Sequence, residues 1–342
     1  DDYTTVHVPT KGTLASVLAE NDLDASSIVL LKITGEINDV DMVRMQDMPN
    51  LISLDISGTN LTALPACTFQ KLKNLKKVIL PNTLISIGGH AFAESGLQSI
   101  EIPASVETIA TAAFKGCTAL TTVTFEKGSQ LKTIEGGYYD KTTDCYGAFS
   151  DCTSLTSIEI PASVETIGST AFERCTALTT VTFEKGSQLK IIELDTFRSC
   201  HSLTSIEIPA SVETIGAAAF IYCTALTTVT FEKGSQLKTI WGGHDEFNSP
   251  PIYYGAFSYL PNLKIMDMST CTQVEELGTG AFANCSSLQL FKIGTIKPPY
   301  SNLYWTTFDN LPTFSILKVP AESVDAYKKA NGWNFSNISA LD

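Results

Sequence analysis

The chain has 342 residues, of which 44% are hydrophobic and 17% charged, so it can bury a large core and is too apolar for a disordered chain. Its 23 basic and 36 acidic residues give a net charge of −13, which disfavours nucleic acid and anionic membrane surfaces as partners. No run of residues approaches the roughly 18 to 20 apolar residues of a membrane-spanning helix. The sequence begins at Asp1 without a charged-then-apolar leader, so we expect any export signal to lie outside it.

Residues 1–50 precede the regular part of the sequence and are predicted to form an N-terminal cap. Their pattern favours a short helix near Leu14–Glu20 and an apolar strand over Ile28–Ile33. The terminal units of a stacked-repeat protein need such a cap because their outer side faces water.

Residues 51–313 are a repeat array. The letters I-E-I-P-A-S-V-E-T-I at Ile100–Ile109 return at Ile158–Ile167 and at Ile206–Ile215. One unit of about two dozen residues cannot bury its apolar side alone, so the array predicts a solenoid of about ten stacked rungs. Each unit opens on an apolar residue, and we expect these residues to form one column in the shared interior: Leu51, Leu75, Leu97, Leu120, Leu155, Leu178, Leu203, Leu226, Leu263, Leu288 and finally Phe314. Each also carries a phenylalanine shortly before the next opening: Phe69, Phe92, Phe114, Phe149, Phe172, Phe197, Phe220, Phe257, Phe282 and Phe308.

Each unit contains two short apolar stretches. Alternation at Ile158 and Ile160 is typical of a strand with one buried face, and Pro161 ends that strand because proline cannot donate a ladder hydrogen bond. Val164 and Ile167 then supply a second apolar pair, which we expect to point inward from the opposite wall.

The unit at Ile158–Leu178 (I-E-I-P-A-S-V-E-T-I-G-S-T-A-F-E-R-C-T-A-L) resembles the leucine-rich repeat of the Bacteroides surface protein A-like (BspA-like) family. This resemblance covers about residues 51–319. It implies a right-handed, β-dominated leucine-rich-repeat solenoid of the α/β type. A parallel sheet would form the concave face, short strands, turns and 3-10 segments the convex face, and both ends would be capped. Leu317–Trp333 resembles the family's closing segment, so residues 314–342 are expected to form a last strand followed by a capping helix over 321–331.

The resemblance also implies an exported protein, either secreted or anchored at the outer membrane, with roles in adhesion and partner binding.

Six of the nine cysteines occupy one position of the repeat, three residues after the phenylalanine: Cys117, Cys152, Cys175, Cys200, Cys223 and Cys285. Rungs about 4.8 Å apart would stack five consecutive members in a column, where parallel Cβ vectors disfavour disulfides. We therefore predict buried, reduced, structural thiols.

Cys67, Cys145 and Cys271 lie outside this register, and Cys145, within an insertion, is predicted to be the most exposed. Zinc binding is disfavoured because the sequence contains no C-x-x-C pair.

No catalytic or cofactor motif is present. The four histidines are scattered, and the sequence has neither H-E-x-x-H nor a phosphate-binding glycine loop. Glu159 and Glu207 would lie two rungs apart, about 10 Å, but near-identical surroundings would not separate their pKa values as paired acid–base catalysis requires. The sequence therefore predicts no enzyme, cofactor or metal. Its hydroxyl-rich strand positions are interpreted as a solvated sheet surface.

Two units are longer by about twelve residues, with insertions at 136–146 and 242–254. Both begin Gly-Gly and end Tyr-Gly-Ala-Phe, so we expect them to protrude from the same edge, about 20 Å apart. Their aromatic side chains either bind a partner or fold back over the enlarged rung. The candidate partner-binding residues are Tyr138, Tyr139, Tyr146, Trp241, His244, Phe247, Tyr253 and Tyr254. Pro298–Trp305 is a third candidate segment.

These features favour a non-enzymatic, exported cell-surface binding protein, an adhesin or a receptor, that engages protein partners. The alternative is a carbohydrate-binding accessory protein of a glycan-uptake system.

Overall fold

The structure is a computed structural model that describes residues 2–137, 139–140, 143–144, 146–245, 252–301 and 307–342, with the backbone alone at 139–140, 143–144, 244–245 and 252–253. Its frame consists of two walls of parallel β-strands, here named wall A and wall B, joined by turns. Each repeat contributes one longer strand to wall A and one two-residue strand to wall B, as the two apolar stretches of the repeat predict.

Wall A is the parallel sheet predicted for the concave face. In the described part of the chain it is interrupted once and comprises an eight-stranded and a six-stranded sheet. The first sheet contains Thr4–Val8, Leu30–Gly35, Ser53–Thr59, Lys77–Ile79, Ser99–Ile102, Thr122–Phe125, Ser157–Ile160 and Thr180–Phe183. The second contains Ser205–Ile208, Thr228–Phe231, Ile265–Met268, Leu290–Ile293, Ile316–Val319 and Asn337–Ala340.

Within the residues that the structure describes, wall B is one continuous ten-stranded sheet. It contains Ala63–Leu64, Ser86–Ile87, Thr108–Ile109, Thr133–Ile134, Thr166–Ile167, Ile191–Ile192, Thr214–Ile215, Thr239–Ile240, Glu276–Leu277 and Tyr300–Ser301. In each strand the second residue points into the core and the first faces outward, since a strand alternates its side chains between two faces.

The ends of the solenoid carry the helices. Helix α1 spans Leu14–Glu20, which confirms the predicted segment, and α2 spans Asp39–Val43. The buried Asp41 accepts hydrogen bonds from the backbone nitrogens of Gly12 (2.8 Å) and Leu14 (2.9 Å), which fastens the start of α1 to α2. The predicted C-terminal helix is present as a 3-10 turn, Ala321–Ser323, followed by α3, Val324–Lys329. Two further 3-10 turns are Ala25–Ser27 and Arg44–Asp47, and two small antiparallel ladders lie within the insertions.

A continuous column of stacked phenylalanine rings occupies the interior. The ten phenylalanines predicted from the repeat follow one another from Phe69 to Phe308 with centroid separations of 4.9–5.6 Å. Nearly all of these rings are fully buried. Because rungs repeat at about this spacing, one ring per rung fills the core at constant density.

The prediction that Phe314 continues the interior leucine column is wrong, because its side chain is 62% exposed. The turn before it closes one residue later than in the preceding repeat. Leu288 donates its backbone N–H to Cys285, whereas in the last repeat Ser315, not Phe314, donates to Pro312. Ser315 is consequently the inward residue, and its hydroxyl donates to the Leu288 carbonyl at 2.6 Å.

The six in-register cysteines are buried free thiols, and the first five form the predicted column on consecutive rungs. Each Sγ donates to the carbonyl of the phenylalanine one rung earlier, at 3.0–3.3 Å. Burial raises the pKa of Cys117 to about 11 and that of Cys285 to about 12, so these thiols keep their protons. Outside the column, Cys67 is exposed and Cys271 buried, while Cys145 lies outside the described residues.

The turns that carry the phenylalanines are built on left-handed backbone. The residue two positions after each phenylalanine has a positive φ: Lys71, Glu94, Gly116, Asp151, Arg174, Ser199, Tyr222, Tyr259, Asn284 and Asn310. Only Gly116 among them adopts this region without steric cost. The fold therefore imposes this conformation on whichever residue occupies the position.

Candidate binding surface at the two insertions

Both insertions leave wall B at the same point of the repeat. The first follows the strand Thr133–Ile134 and the second follows Thr239–Ile240. Four ladder steps separate these strands, with Thr133, Thr166, Ile191, Thr214 and Thr239 in one register. At about 4.8 Å per step, the two insertions begin about 20 Å apart on one edge.

Glycines at the start of each insertion allow two backbones to approach closely. A Cβ atom at Gly136 would overlap the backbone of Gly168 and Ser169, and one at Gly242 would overlap Gly278 and Thr279. Both insertions start with Gly-Gly, and the first of these two glycines is therefore required for close packing of the backbones. At the second insertion, the second glycine is not required for packing, because a Cβ atom at Gly243 would meet nothing within 4 Å.

Each insertion forms a small antiparallel hairpin. Tyr139–Asp140 pairs with Thr143–Asp144, and His244–Asp245 pairs with Ile252–Tyr253. The chain then returns to the solenoid beside its own starting strand.

Backbone hydrogen bonds close both insertions at equivalent places. Ala148 donates to the carbonyl of Glu135 at 3.0 Å, and Ala256 donates to that of Trp241 at 3.2 Å. At the first insertion Gly147 also donates to the hydroxyl of Thr170 at 2.9 Å. Thr170 holds a left-handed φ of 60°, unusual for a β-branched residue, as do Ala112 and Ala218 at the same position of other repeats.

The predicted aromatic residues have different surroundings. Tyr146 is half-buried, and the Nζ atom of Lys115 lies 4.0 Å from its ring centroid, so this ring folds back onto the neighbouring rung. Tyr254 is also half-buried, whereas Trp241 is 49% exposed. For Tyr139, His244 and Tyr253 the structure gives only the hairpin backbone, and Tyr138 and Phe247 lie outside the described residues.

Trp241 belongs to a column on wall B in which residues with large side chains alternate with glycines. Following the wall B register, this column contains Glu135, Gly168, Glu193, Gly216, Trp241 and Gly278. Both neighbours of Trp241 are therefore glycines. A large half-exposed indole without side chains on the adjacent rungs is the kind of residue that dominates binding energy at protein interfaces.

A groove of about 480 Å³ lies at the base of the first insertion. Its lining combines two carboxylates, Glu135 and Glu193, with hydroxyl groups and glycine backbone. Glu135 accepts hydrogen bonds from the backbone nitrogen (2.9 Å) and the hydroxyl (3.2 Å) of Thr111, so its position is fixed. Polar groups held in this way can recognise a hydroxyl-rich ligand.

The turns between the two insertions carry a charged cluster. Arg198 lies 3.9 Å from Glu173 and 3.4 Å from Asp195, and its guanidinium stands 6.0 Å from the ring of Tyr222. Burial raises the pKa of both carboxyls despite the nearby arginines. Because the charges pair with one another, this cluster stabilises the turns and leaves little charge for a ligand.

Tyr300, in the third candidate segment, faces outward from the last strand of wall B and is 60% exposed. Residues 302–306 of that segment lie outside the described residues.

Two of the histidines make local contacts: His7 with the Thr34 hydroxyl at 3.0 Å and His201 with the Tyr222 carbonyl at 2.9 Å. Within the described residues no group of three His, Cys, Asp or Glu side chains is placed to hold a metal ion. The same residues contain no helix with the length and apolar character needed to span a membrane.

Sequence reasoning missed three residues of this surface. Lys115, Thr170 and Glu193 contribute through contacts across rungs. Aligning the repeats by their phenylalanines would have placed Lys115 and Thr170 beside the first insertion, but the contacts themselves need coordinates.

Comparisons with known proteins agree with this architecture. The family described as BspA type leucine rich repeat region matches residues 45–145, 145–243 and 248–341 with six copies. A leucine-rich repeat protein from Bacteroides ovatus is similar at 20% identity and a TM-score of 0.50, covering 100% of this chain and 94% of that one. The pneumococcal vaccine antigen PcpA is 21% identical with a TM-score of 0.42, covering 92% of this chain and 80% of its own. A search of curated proteins gave no match.

The family match spans more than half of the sequence and agrees with the observed walls. This chain belongs to the BspA-type leucine-rich-repeat family, whose members are typically associated with the cell surface.

Proposed function

We propose that this protein is a non-enzymatic cell-surface binding protein, an adhesin or a receptor, and that it engages a protein partner along the wall B edge between its two insertions. The observation that carries the proposal is Trp241, whose half-exposed indole lies between two glycines at the start of the second insertion. Trp is among the residues that contribute most to protein interfaces. The first insertion, four ladder steps away, extends the same edge to the width of a small interface.

The test is capture of the purified protein on panels of host extracellular proteins and bacterial surface proteins. Replacing Trp241 by alanine is expected to weaken capture by about 10- to 100-fold, the usual range for a central aromatic. Ile85→Ala is the matched control, since Ile85 is also 49% exposed and directly precedes the wall B strand Ser86–Ile87, two ladder steps before the strand that leads into the first insertion. Capture that survives Trp241→Ala and deletion of both insertions would exclude this edge.

A carbohydrate-binding role in glycan uptake is the second candidate. The groove with Glu135 and Glu193 favours it, because carboxylates and hydroxyls bind sugar hydroxyls while an exposed indole can stack on a sugar ring. A glycan-array signal abolished by Tyr138→Ala combined with Trp241→Ala would support this role, and an array without signal would exclude it.

A further inference from the structure

Each S-I-E-I-P-A-S-V-E-T-I unit contributes two glutamates, one to each wall, and the wall B glutamates alternate with lysines along one column. The successive positions before the wall B strands are Glu107, Lys132, Glu165, Lys190, Glu213 and Lys238. Ion pairs join Lys132 to Glu107 at 3.6 Å, Lys190 to Glu213 at 3.3 Å and Lys238 to Glu213 at 2.8 Å. This column largely neutralises itself.

The wall A glutamates face threonines instead. Glu101 is in register with Thr124, Glu159 with Thr182, and Glu207 with Thr230. All three glutamates are exposed, and none forms an ion pair or a hydrogen bond with the residues that the structure describes. Three carboxylates without an ion pair in the described residues thus repeat every second rung, about 10 Å apart.

On the same outer face of wall A, acidic residues on either side of this column form ion pairs. Toward the N-terminus, Asp55 pairs with Lys32 at 3.4 Å. Toward the C-terminus, Asp267 pairs with Lys292 at 3.1 Å. The two aspartates that flank the central stretch therefore have partners within the protein, and the stretch of glutamates without ion pairs is about 20 Å long.

Two grooves on wall A coincide with this stretch. One of about 370 Å³ has Glu101 in its lining together with Lys77, Thr122 and Thr124. The other, of about 290 Å³, contains Glu207 and lies where the two sheets of wall A separate, between Thr180–Phe183 and Ser205–Ile208. At both places the strands pair weakly or not at all, so the surface is recessed beside a free carboxylate.

We propose that the outer face of wall A docks an extended basic segment of a partner protein, which lies along the solenoid with one Lys or Arg on each of Glu101, Glu159 and Glu207. A polyproline-II-like chain rises about 3.1 Å per residue, so every third residue recurs on one side after about 9 Å, close to the two-rung spacing. The net charge of −13 attracts such a segment and disfavours a second copy of this chain on the same face.

This inference rests on the proposed binding function but uses a surface separate from the insertions. The two can therefore fail independently.

The experiment uses two nine-residue peptides of proline and lysine, one with lysine at every third position and one with its three lysines contiguous. Fluorescence anisotropy at low and physiological ionic strength measures their affinities for the full chain. The spaced peptide is expected to bind about fivefold or more tightly than the contiguous one, and both should weaken as salt screens the charges.

The triple variant Glu101→Gln, Glu159→Gln, Glu207→Gln is expected to weaken binding of the spaced peptide about tenfold. Its matched control, Glu107→Gln, Glu165→Gln, Glu213→Gln, removes the same number of charges from wall B and should leave the affinity within about twofold. Deletion of both insertions should also leave it unchanged. Equal losses in the two triple variants, equal affinity for the two peptides, or no binding would each overturn the proposal.

Discussion

The interior of this solenoid and the edge that bears the insertions come from the same repeats, yet they differ in what holds them in place. In the interior, side chains recur at every rung, with a phenylalanine stack at 4.9–5.6 Å beside a column of buried thiols. At the edge, backbone contacts at Gly136 and Gly242 fix where each insertion begins, and the inserted residues differ between the two. The core therefore maintains the scaffold, while the insertions can vary without disturbing it.

The largest expected effect on stability comes from removing one ring of the interior phenylalanine column. Phe172 is fully buried, with rings at 5.2 and 5.4 Å on its two sides, so Phe172→Ala removes contacts with both neighbouring rungs. We expect a loss of about 3–5 kcal/mol in the free energy of unfolding, measured by denaturant titration.

Phe314→Ala is the matched control, because that ring is 62% exposed, and it should change the free energy of unfolding by less than about 0.5 kcal/mol. Equal losses at the two positions would contradict a stability that depends on the stacked column.

The second prediction addresses the edge. Gly242→Ala would place a methyl group against the backbone of Thr279, whereas Gly243→Ala would place one in open space. We expect Gly242→Ala to cost about 1–3 kcal/mol, because overpacking forces a backbone shift, and Gly243→Ala to change stability little.

Thermal unfolding of the two variants measures this difference directly. If both substitutions were tolerated equally, the first glycine would not fix the position of the insertion.

The sequence predicts the interior far better than the surfaces. Phenylalanine and cysteine positions could be predicted because each recurs at one place in the repeat, and a stacked fold turns a recurring position into a column. Phe314 could not be placed, since its orientation depends on a turn that closes at Ser315, one residue late. Contacts across rungs, such as that between Tyr146 and Lys115, join residues far apart in sequence and require the register.

The thiol column predicts a loss of stability at high pH. Burial raises the pKa of Cys285 from 9.0 to about 12, so its contribution is fully present below pH 9 and is lost as the pH rises toward 12. Within that window the unfolded thiol has released its proton and the folded one has not. The free energy of unfolding should therefore fall by about 1.4 kcal/mol per pH unit for this thiol.

Cys285→Ala should make this pH dependence shallower by about that amount in urea titrations between pH 9 and 11. Cys67→Ala, at an exposed cysteine, is the control and should leave the slope as it is. An unchanged slope in Cys285→Ala would contradict a buried, protonated thiol.

The smallest expected effect concerns the turns that join interior and surface. Ser199 and Gly116 occupy the same position of the repeat and have φ values of 59° and 66°. Glycine adopts this region without the steric cost that a Cβ atom incurs, although it loses more entropy on folding, so Ser199→Gly should stabilise the protein by about 0.5–1 kcal/mol. Gly116→Ala should cost about 1 kcal/mol, since its Cβ would also lie 3.2 Å from the side chain of Glu94. Opposite shifts in melting temperature would show that the stacked interior, rather than local preference, holds these turns in the left-handed conformation. Shifts of the same sign would mean that each turn relaxes around its own residue.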